Sequence, residues 1–551
     1  MKIEKLTVRG FKNLEDVTAD FTHAGPAVVL VGQNGSGKSN LLEAVAIIFR
    51  DLAFRRETPF AYEMRYQTRS AVVSIKHSPA AKSGGRRSFA VKNAEAKSFR
   101  QISGNEFYSG QSYLPANIFG YYSGTRQNLH RIFLDDEINL YHDARLSIME
   151  RTETEADEPE LAAGRFTLPG TMRRFFYGHL KNAPLVLLSY FASGKTGLQN
   201  FLRSELSIDG FESALITLKR PEWLALPDGP ALAGDFPWDV TRFLDNEAGE
   251  FLVMLWNAAL SPFATSVEYE NLRDHPDAES GPPKTDKIFL FFPDVQSLAR
   301  AYGGEITEQR FFALLEALSV LDILDEAQVW VTRNGVKQEI SSKEISDGEK
   351  QLLTIVGLLY LTPGEEALFL LDEPDTHLNP SWKWDFLRTI KQEAGDISNC
   401  QFILTSHDPL TIAGLKREDV QVVYKDRETG KTEIDHPPVD PQGLGVAGVL
   451  RQIFGMRTTV DPETQELIDQ RNILLAMGER SRDQDRDLHR LNNDIRALGF
   501  TLQNKEDLFA QFLNEYKAQD RGKLTLTPDE ILAQNDAIKA AIVQLKSGKI
   551  T

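Results

Sequence analysis

Ala27-Val-Val-Leu-Val31 followed by Gly32-Gln-Asn34-Gly35-Ser36-Gly37-Lys38-Ser39 and then Asn40-Leu-Leu-Glu-Ala-Val-Ala-Ile-Ile48 decides the fold. An apolar run of strand character enters a glycine-rich loop, and the loop opens a helix-forming segment. In that context the spacing is that of a phosphate-binding loop, because glycines let successive backbone N–H groups curl around an anion and the helix N-terminus adds its positive end. Lys38 is expected to reach the β- and γ-phosphates and Ser39 to ligate Mg²⁺, with Asn34, Gly35, Ser36, Gly37 and Asn40 completing the contact set. ATP and Mg²⁺ are the cofactors this predicts. Ser193-Gly194-Lys195-Thr196 also reads GK[ST], but Ser189 stands where the first glycine belongs and no clean strand precedes it, so it reads as a polar turn.

The chain has 551 residues, 41% of them hydrophobic, which predicts two or three structural units with a large shared or adjoining core. No apolar run is long enough to span a bilayer, and Met1-Lys-Ile-Glu-Lys-Leu6 has no signal-peptide core, so a cytoplasmic chain without membrane contact is expected. The single cysteine, Cys400, excludes an intramolecular disulfide and reads as a small core residue. A net charge of −17 argues against coating nucleic acid with the whole surface. Charge is nonetheless local. Lys76, Lys82, Arg86, Arg87, Lys92, Lys97 and Arg100 stand against Glu95 alone and read as a solvated loop or a basic face, whereas residues 135–160 carry ten acidic and two basic residues and read as an exposed, mobile connection.

Patterning divides the chain into four parts. Residues 1–135 hold alternating strands, the phosphate loop and its helix, and residues 136–325 show apolar residues at helical spacing and read as a mainly helical insertion. Residues 326–445 contain the apolar helix Ser346 to Leu361 and the buried strands Ala367 to Leu371 and Gln401 to Leu404, the pattern of a parallel sheet, and residues 446–551 form a charged helical tail. The fold class expected is α/β.

Leu368-Phe-Leu-Leu-Asp372-Glu373-Pro374 ends an apolar strand in paired carboxylates, which places Asp372 to hold Mg²⁺ beside the loop and Glu373 to orient or activate water. His407, in Phe402-Ile-Leu-Thr-Ser-His407, stands at the tip of another buried strand and is a candidate γ-phosphate contact. Ahead of the apolar helix, Ile345-Ser346-Asp347-Gly348-Glu349-Lys350 offers a capping serine and helix N–H groups to an anion.

These motifs, with Asp375-Thr-His-Leu-Asn379-Pro380 as a D-loop, resemble in type and order those of ABC-type ATPases. The opening phrase Met1 to Asn13 is similar to that of the SMC, RecF and OLD-like branch. The resemblance implies an ABC-type P-loop ATPase head in which two copies meet head to tail, Ser346, Gly348 and Glu349 of one closing the ATP held by the other, with Glu373 and His407 catalytic. It also implies that Lys12 and Asn13 touch the nucleotide at the entrance. Gln127, at the end of Phe119-Gly-Tyr-Tyr-Ser-Gly-Thr-Arg-Gln127, is the candidate Q-loop metal ligand, though its position departs from the transporter pattern.

Ser346 lies 308 positions after Lys38, and the stretch between them holds no long heptad run, which disfavours coiled-coil SMC or Rad50 arms. No Toprim-like acidic pattern follows His407, so no nuclease centre is expected. Tyr121-Tyr-Ser-Gly124, Ile345 to Lys350 and Asp372 to Asn379 resemble the ATPases of anti-phage systems, the PtuA family of Septu and its retron-associated relatives. That resemblance implies an ATP-hydrolysing regulatory subunit controlling a partner HNH nuclease of the PtuB kind, joined in retron versions by a reverse transcriptase and its RNA–DNA product. The tail from Pro462 is then a candidate docking surface. The alternative is a RecF-like repair ATPase that contacts DNA or RNA directly through residues 76–100; a transporter subunit ranks third.

Overall fold

The computed structural model describes residues 1–79, 86–93, 96–109, 113–124, 128–154, 172–195, 197–221, 236–238, 246–268, 284–303, 307–362, 366–393, 399–477 and 479–498, with a few positions from 527 to 537. The architecture is α/β and centres on a seven-stranded sheet. In its middle, Ala27–Val31, Cys400–Thr405, Ala367–Asp372, Asn117–Tyr122 and Phe175–Tyr177 run parallel. Val420–Lys425 joins the far side of Ala27–Val31, also parallel, and Thr432–Asp435 closes that edge antiparallel.

Strict alternation along these strands feeds two cores. Val29, Phe119, Phe369 and Phe402 face one side, while Val28, Leu30, Leu368, Leu370 and Ile403 face the other. On the first side, the rings of Phe119 and Phe402 each lie 4.6 Å from that of Phe369, stacked across three neighbouring strands. The second core is capped by the helix Lys38–Ala53 and by a six-stranded antiparallel sheet that begins with Lys2–Phe11 and Leu14–Asp20. Both faces of the central strands are thereby dry, as a parallel sheet requires.

The structure corrects four expectations. The insertion is not mainly helical: Ile208–Lys219, Leu260–Glu268, Lys284–Phe292, Leu324–Arg333 and Ile340–Ser341 form a five-stranded antiparallel sheet, packed by the helices Ala183–Ser193, Asn246–Ala258 and Glu308–Val320. Its last two strands run past residue 325, and Phe175–Tyr177 belongs to the central sheet, so the unit boundaries shift accordingly. The acidic stretch is no loose connection as far as Thr154, since it lies in a helix, Asn128–Thr154, which also crosses the expected boundary at 135. Leu129, Ile132, Phe133 and Leu140 give that helix a buried stripe, and Asp135 pairs with Arg50 and Arg56. Finally, the basic segment is no solvated loop: it holds Ala71–Ser78 and Arg86–Asn93, in line with the strands expected over residues 1–135, and Arg100–Ile102, which together edge the six-stranded sheet.

The Ser193-Gly194-Lys195 turn is a helix end, with Gly194 at φ 65° as its left-handed cap. Cys400 is half-buried at the start of its strand. Pro462–Ala476 and Arg482–Ala497 pack on one another as a charged helical pair, and most of the expected helical tail beyond residue 498 lies outside the described residues. Among the described residues no helix is long and apolar enough to cross a membrane.

Candidate nucleotide site

The phosphate loop leaves the carboxyl end of Ala27–Val31 with Gly32, Gly35 and Gly37 at φ 146°, 76° and 117°. A side chain at Gly32 would place its Cβ 1.9 Å from the Val423 carbonyl oxygen, so only glycine lets the loop lie against the next strand. Lys38 is 5% exposed, and its Nζ donates to the carbonyls of Gly32 at 2.9 Å and Gln33 at 3.1 Å. Burial lowers its ammonium from the ordinary 10.5 to about 8, against the opposing pull of Glu373 and Asp372. The Ser36 hydroxyl is buried with no hydrogen-bond partner in the chain, a donor that fits a phosphate oxygen.

The parallel register brings the second half into place. Asp372 pairs with Thr405 on one side and Tyr122 on the other, and Thr405 with Leu30. Ser39 Oγ donates to Asp372 Oδ1 at 3.0 Å, and Thr405 Oγ1 donates to the same oxygen at 2.5 Å. Burial raises the Asp372 carboxyl, with both hydroxyls opposing it. Glu373 sits at φ 52°, in the left-handed region, where its N–H bonds Thr405 Oγ1 at 2.9 Å and its carbonyl accepts from Ser123 Oγ at 2.7 Å. This turn aims the carboxylate at His407, whose Nε2 lies 3.1 Å from Glu373 Oε1. Burial and the Lys38 charge lower the His407 imidazole, while Glu373 raises it.

Asn13, Asn34, Gly35, Gly37, Lys38, Ser39, Asn40, Tyr122, Glu373 and His407 line one cleft of about 520 Å³. Ser39 and Asp372 are the oxygen donors that fit a hard divalent ion beside a phosphate cradle. Asn13 braces the loop: its Nδ2 donates to the Ser36 carbonyl at 3.0 Å and its Oδ1 accepts from Asn40 at 2.6 Å. Lys12 does not line the cleft. It pairs with Glu43 on the helix flank and reaches Asn40 at 3.3 Å. Gln127 lies outside the described residues.

Ser346, Gly348 and Glu349 do not line this cleft either. Ser346 caps the helix Asp347–Tyr360 in a reciprocal box with Glu349, which also pairs with Arg333 at 2.9 Å. Gly348 packs against the D-loop, where a Cβ would meet the His377 carbonyl oxygen at 2.5 Å. Asp347 and Lys350 line a different cleft with Lys181, Ser342 and Lys343. Within one copy of the chain, the signature segment thus lies outside the cleft that holds the phosphate loop.

Two family profiles match the chain: one described as "AAA ATPase domain" over residues 1–109, and one described as "AAA domain, putative AbiEii toxin, Type IV TA system" over residues 200–413. Septu protein PtuA of Bacillus mycoides (strain KBAB4) is 30% identical over 274 residues, 46% of this chain and 37% of that protein. The retron Vc95 probable ATPase of Vibrio cholerae is 32% identical over 104 residues, 17% of this chain and 19% of the relative. The chain carries a P-loop ATPase site, matched in two stretches by ATPase-domain profiles. It is similar to the ATPases of Septu and retron systems, and the matches span about a third of PtuA and a fifth of the retron protein. A shorter stretch of 67 residues is 42% identical to RecF of Magnetococcus marinus, covering 12% of this chain and 16% of RecF. Among solved structures, an SMC head bound to the C-winged helix domain of ScpA aligns over 79% of this chain and 98% of its own, at 14% identity and a TM-score of 0.31.

Three further residues hold the site together in roles that the sequence motifs do not assign, although Tyr122 and Ser123 fall within the Tyr121 to Gly124 phrase. Thr405 is fully buried and ties Asp372 to the Glu373 backbone, Ser123 anchors the Glu373 carbonyl, and Tyr122 lines the cleft. A hydroxyl residue ending a strand next to a buried carboxylate strand is the signal that marks Thr405. Asp375 is a fourth structural link: buried, it accepts from Ser406 Oγ and from Thr411 Oγ1 at 2.6 Å, fixing the D-loop.

Proposed function

We propose that the chain is an ATP- and Mg²⁺-dependent regulatory ATPase of an anti-phage defence system, and that two copies close head to tail over the nucleotide. The observation that carries this is the division of the site: phosphate loop, Asp372, Glu373 and His407 gather at one cleft, while the signature segment sits outside it. In the closed pair Ser346, Gly348 and Glu349 of the second copy offer the helix N-terminus to the γ-phosphate. Lys38 leaves the Gly32 and Gln33 carbonyls for the phosphates, Ser39 and Asp372 hold Mg²⁺, and Glu373 orients the attacking water with His407 beside it. By likeness to the Septu and retron ATPases, the assembly restrains a partner HNH nuclease, with a reverse transcriptase and RNA–DNA product as further partners in a retron setting. Ile473, Met477 and Leu498 are exposed on the C-terminal helical pair and make it the docking surface for that partner.

Glu373→Gln tests the reading. With ATP and Mg²⁺ the variant should hydrolyse at least about 100-fold more slowly, as loss of one general base predicts, and run as a nucleotide-bound dimer in light scattering. Ser346→Arg in the same background should return it to a monomer. Wild-type turnover, or a monomer with bound ATP, sinks the proposal.

Direct DNA gripping through residues 76–100 has less support. Lys76 pairs with Glu63, Arg100 with Glu106, and the half-buried Arg87 bonds Thr58 Oγ1 and the Arg56 carbonyl. Those cations are engaged within the fold.

A further inference from the structure

Away from the nucleotide cleft, the start of the helix Asn128–Thr154 meets the chain that follows Phe175–Tyr177. Ligand atoms of His130, Glu137 and His179 all lie within 4.8 Å of one another. We propose that His130, Glu137 and His179 bind one divalent transition-metal ion of the zinc class, which fastens this helix to the edge of the central sheet.

Each ligand is held by a different constraint. His130 and Glu137 stand two turns apart on one helix face. His179 follows Gly178, whose N–H bonds the Gly120 carbonyl at 2.8 Å, so its backbone is pinned to the central sheet. The imidazoles of His130 and His179 meet edge to face with centroids 4.8 Å apart, and Tyr177 packs against both. The buried Nε2 of His130 has no hydrogen-bond partner, a nitrogen lone pair or N–H left unmatched at the meeting point.

Two neutral imidazoles and one carboxylate are a borderline-soft donor set, suited to zinc and poorly suited to magnesium or calcium, which take oxygen. Tetrahedral zinc holds such donors at about 2.0–2.1 Å, which puts neighbouring donor atoms about 3.4 Å apart. Metal binding would draw the donors to that spacing from the present spread of up to 4.8 Å. Glu137 now reaches Arg173 at 3.3 Å, and that arginine keeps Glu316 as a buried partner if Glu137 turns. A carboxylate oxygen left on Arg173 would then orient the ligand from outside. Lys181 and Arg173 face the cluster from the cationic side, and Asp136, Glu137 and Glu316 offset them. None of the three ligands lines the nucleotide cleft, so this ion is distinct from the one beside the phosphates.

The test uses the full chain, stripped with a chelator and kept free of nucleotide. Zn²⁺ is titrated, retained metal is counted after gel filtration, and Co²⁺ reports coordination by its visible absorption. The wild type should retain one equivalent, give a tetrahedral cobalt spectrum and melt several degrees higher with Zn²⁺. His130→Ala and His179→Ala should lose the equivalent and the shift, while His142→Ala, exposed on the same helix, keeps both. His130→Gln, which retains size and polarity, serves if alanine prevents folding. Less than a fifth of an equivalent on the wild type, or undiminished binding by the His130 and His179 variants, overturns the site and leaves an aromatic packing cluster.

Discussion

Raising the pH isolates the strain stored at Lys38. Its ammonium is lowered from 10.5 to about 8 in the folded chain, chiefly by burial. That difference corresponds to about 3 kcal/mol of disfavour for the charged form. The folded value lies below the unfolded one, so between about pH 8 and 10.5 the unfolded chain holds more protons. Stability from this residue is then fully present above 10.5 and lost as pH falls through about 8. Lys38→Met removes the term. The two hydrogen bonds lost with Nζ are each worth about 1 kcal/mol, so at pH 7 the nucleotide-free variant should be about 1 kcal/mol more stable than wild type. As pH rises the wild type should overtake it. The assay is chemical unfolding of both chains from pH 7 to 10, followed by the tryptophan signal. Nucleotide should show the complement: phosphate restores the ammonium, so wild-type ATP affinity should fall by up to tenfold per pH unit above about 8, with proton uptake on binding. Parallel stability curves for the two chains, or ATP affinity flat from pH 7 to 10, would falsify the claim that Lys38 is held against its charge.

Other residues give separate tests. Thr405→Val strips Asp372 of a donor and leaves the Glu373 N–H without its acceptor, so stability should fall by about 2–4 kcal/mol, while Thr405→Ser stays close to wild type; equal losses in denaturant melts would remove the hydroxyl from the account. Gly32→Ala drives a Cβ into the Val423 carbonyl at a φ of 146°, and should cost about 2–6 kcal/mol from overpacking and strain together. Gly194→Ala, at φ 65° with open space around it, should cost about 1 kcal/mol in the same denaturant melts.

The parts of the site legible in the sequence are those whose chemistry is local. The phosphate loop, Asp372-Glu373 and His407 each end an uninterrupted apolar strand, and strand order then forces them together. The insertion was harder because its strands are mixed in character. Ile208–Lys219 alternates only in its second half, where Ala214, Ile216 and Leu218 point inward, and its first half holds Gly210 and exposed acids. The acidic stretch misled for the opposite reason: charge density masked Leu129, Ile132, Phe133 and Leu140, four apolar residues that suffice to dock a helix. In the basic segment, Arg87 bonds Thr58 and the exposed Lys76 pairs with Glu63, partners on neighbouring chain that spacing alone does not identify. Thr405 was passed over since a threonine ending a strand has no motif until the strand beside it is known.

The register around Leu30 also sets a timetable for the molecule's own making. This residue pairs with Thr405 on one side and Gln421 on the other, so the strand that carries the phosphate loop has neither neighbour until most of the chain has left the ribosome. At about 5–20 residues per second that wait is roughly 20–75 s. During it an apolar strand with two open edges must be kept from other chains, and contacts this distant in sequence are slow to form. Nascent molecules should therefore depend on chaperones until late in synthesis, and nucleotide binding becomes available only after the last central strand has arrived.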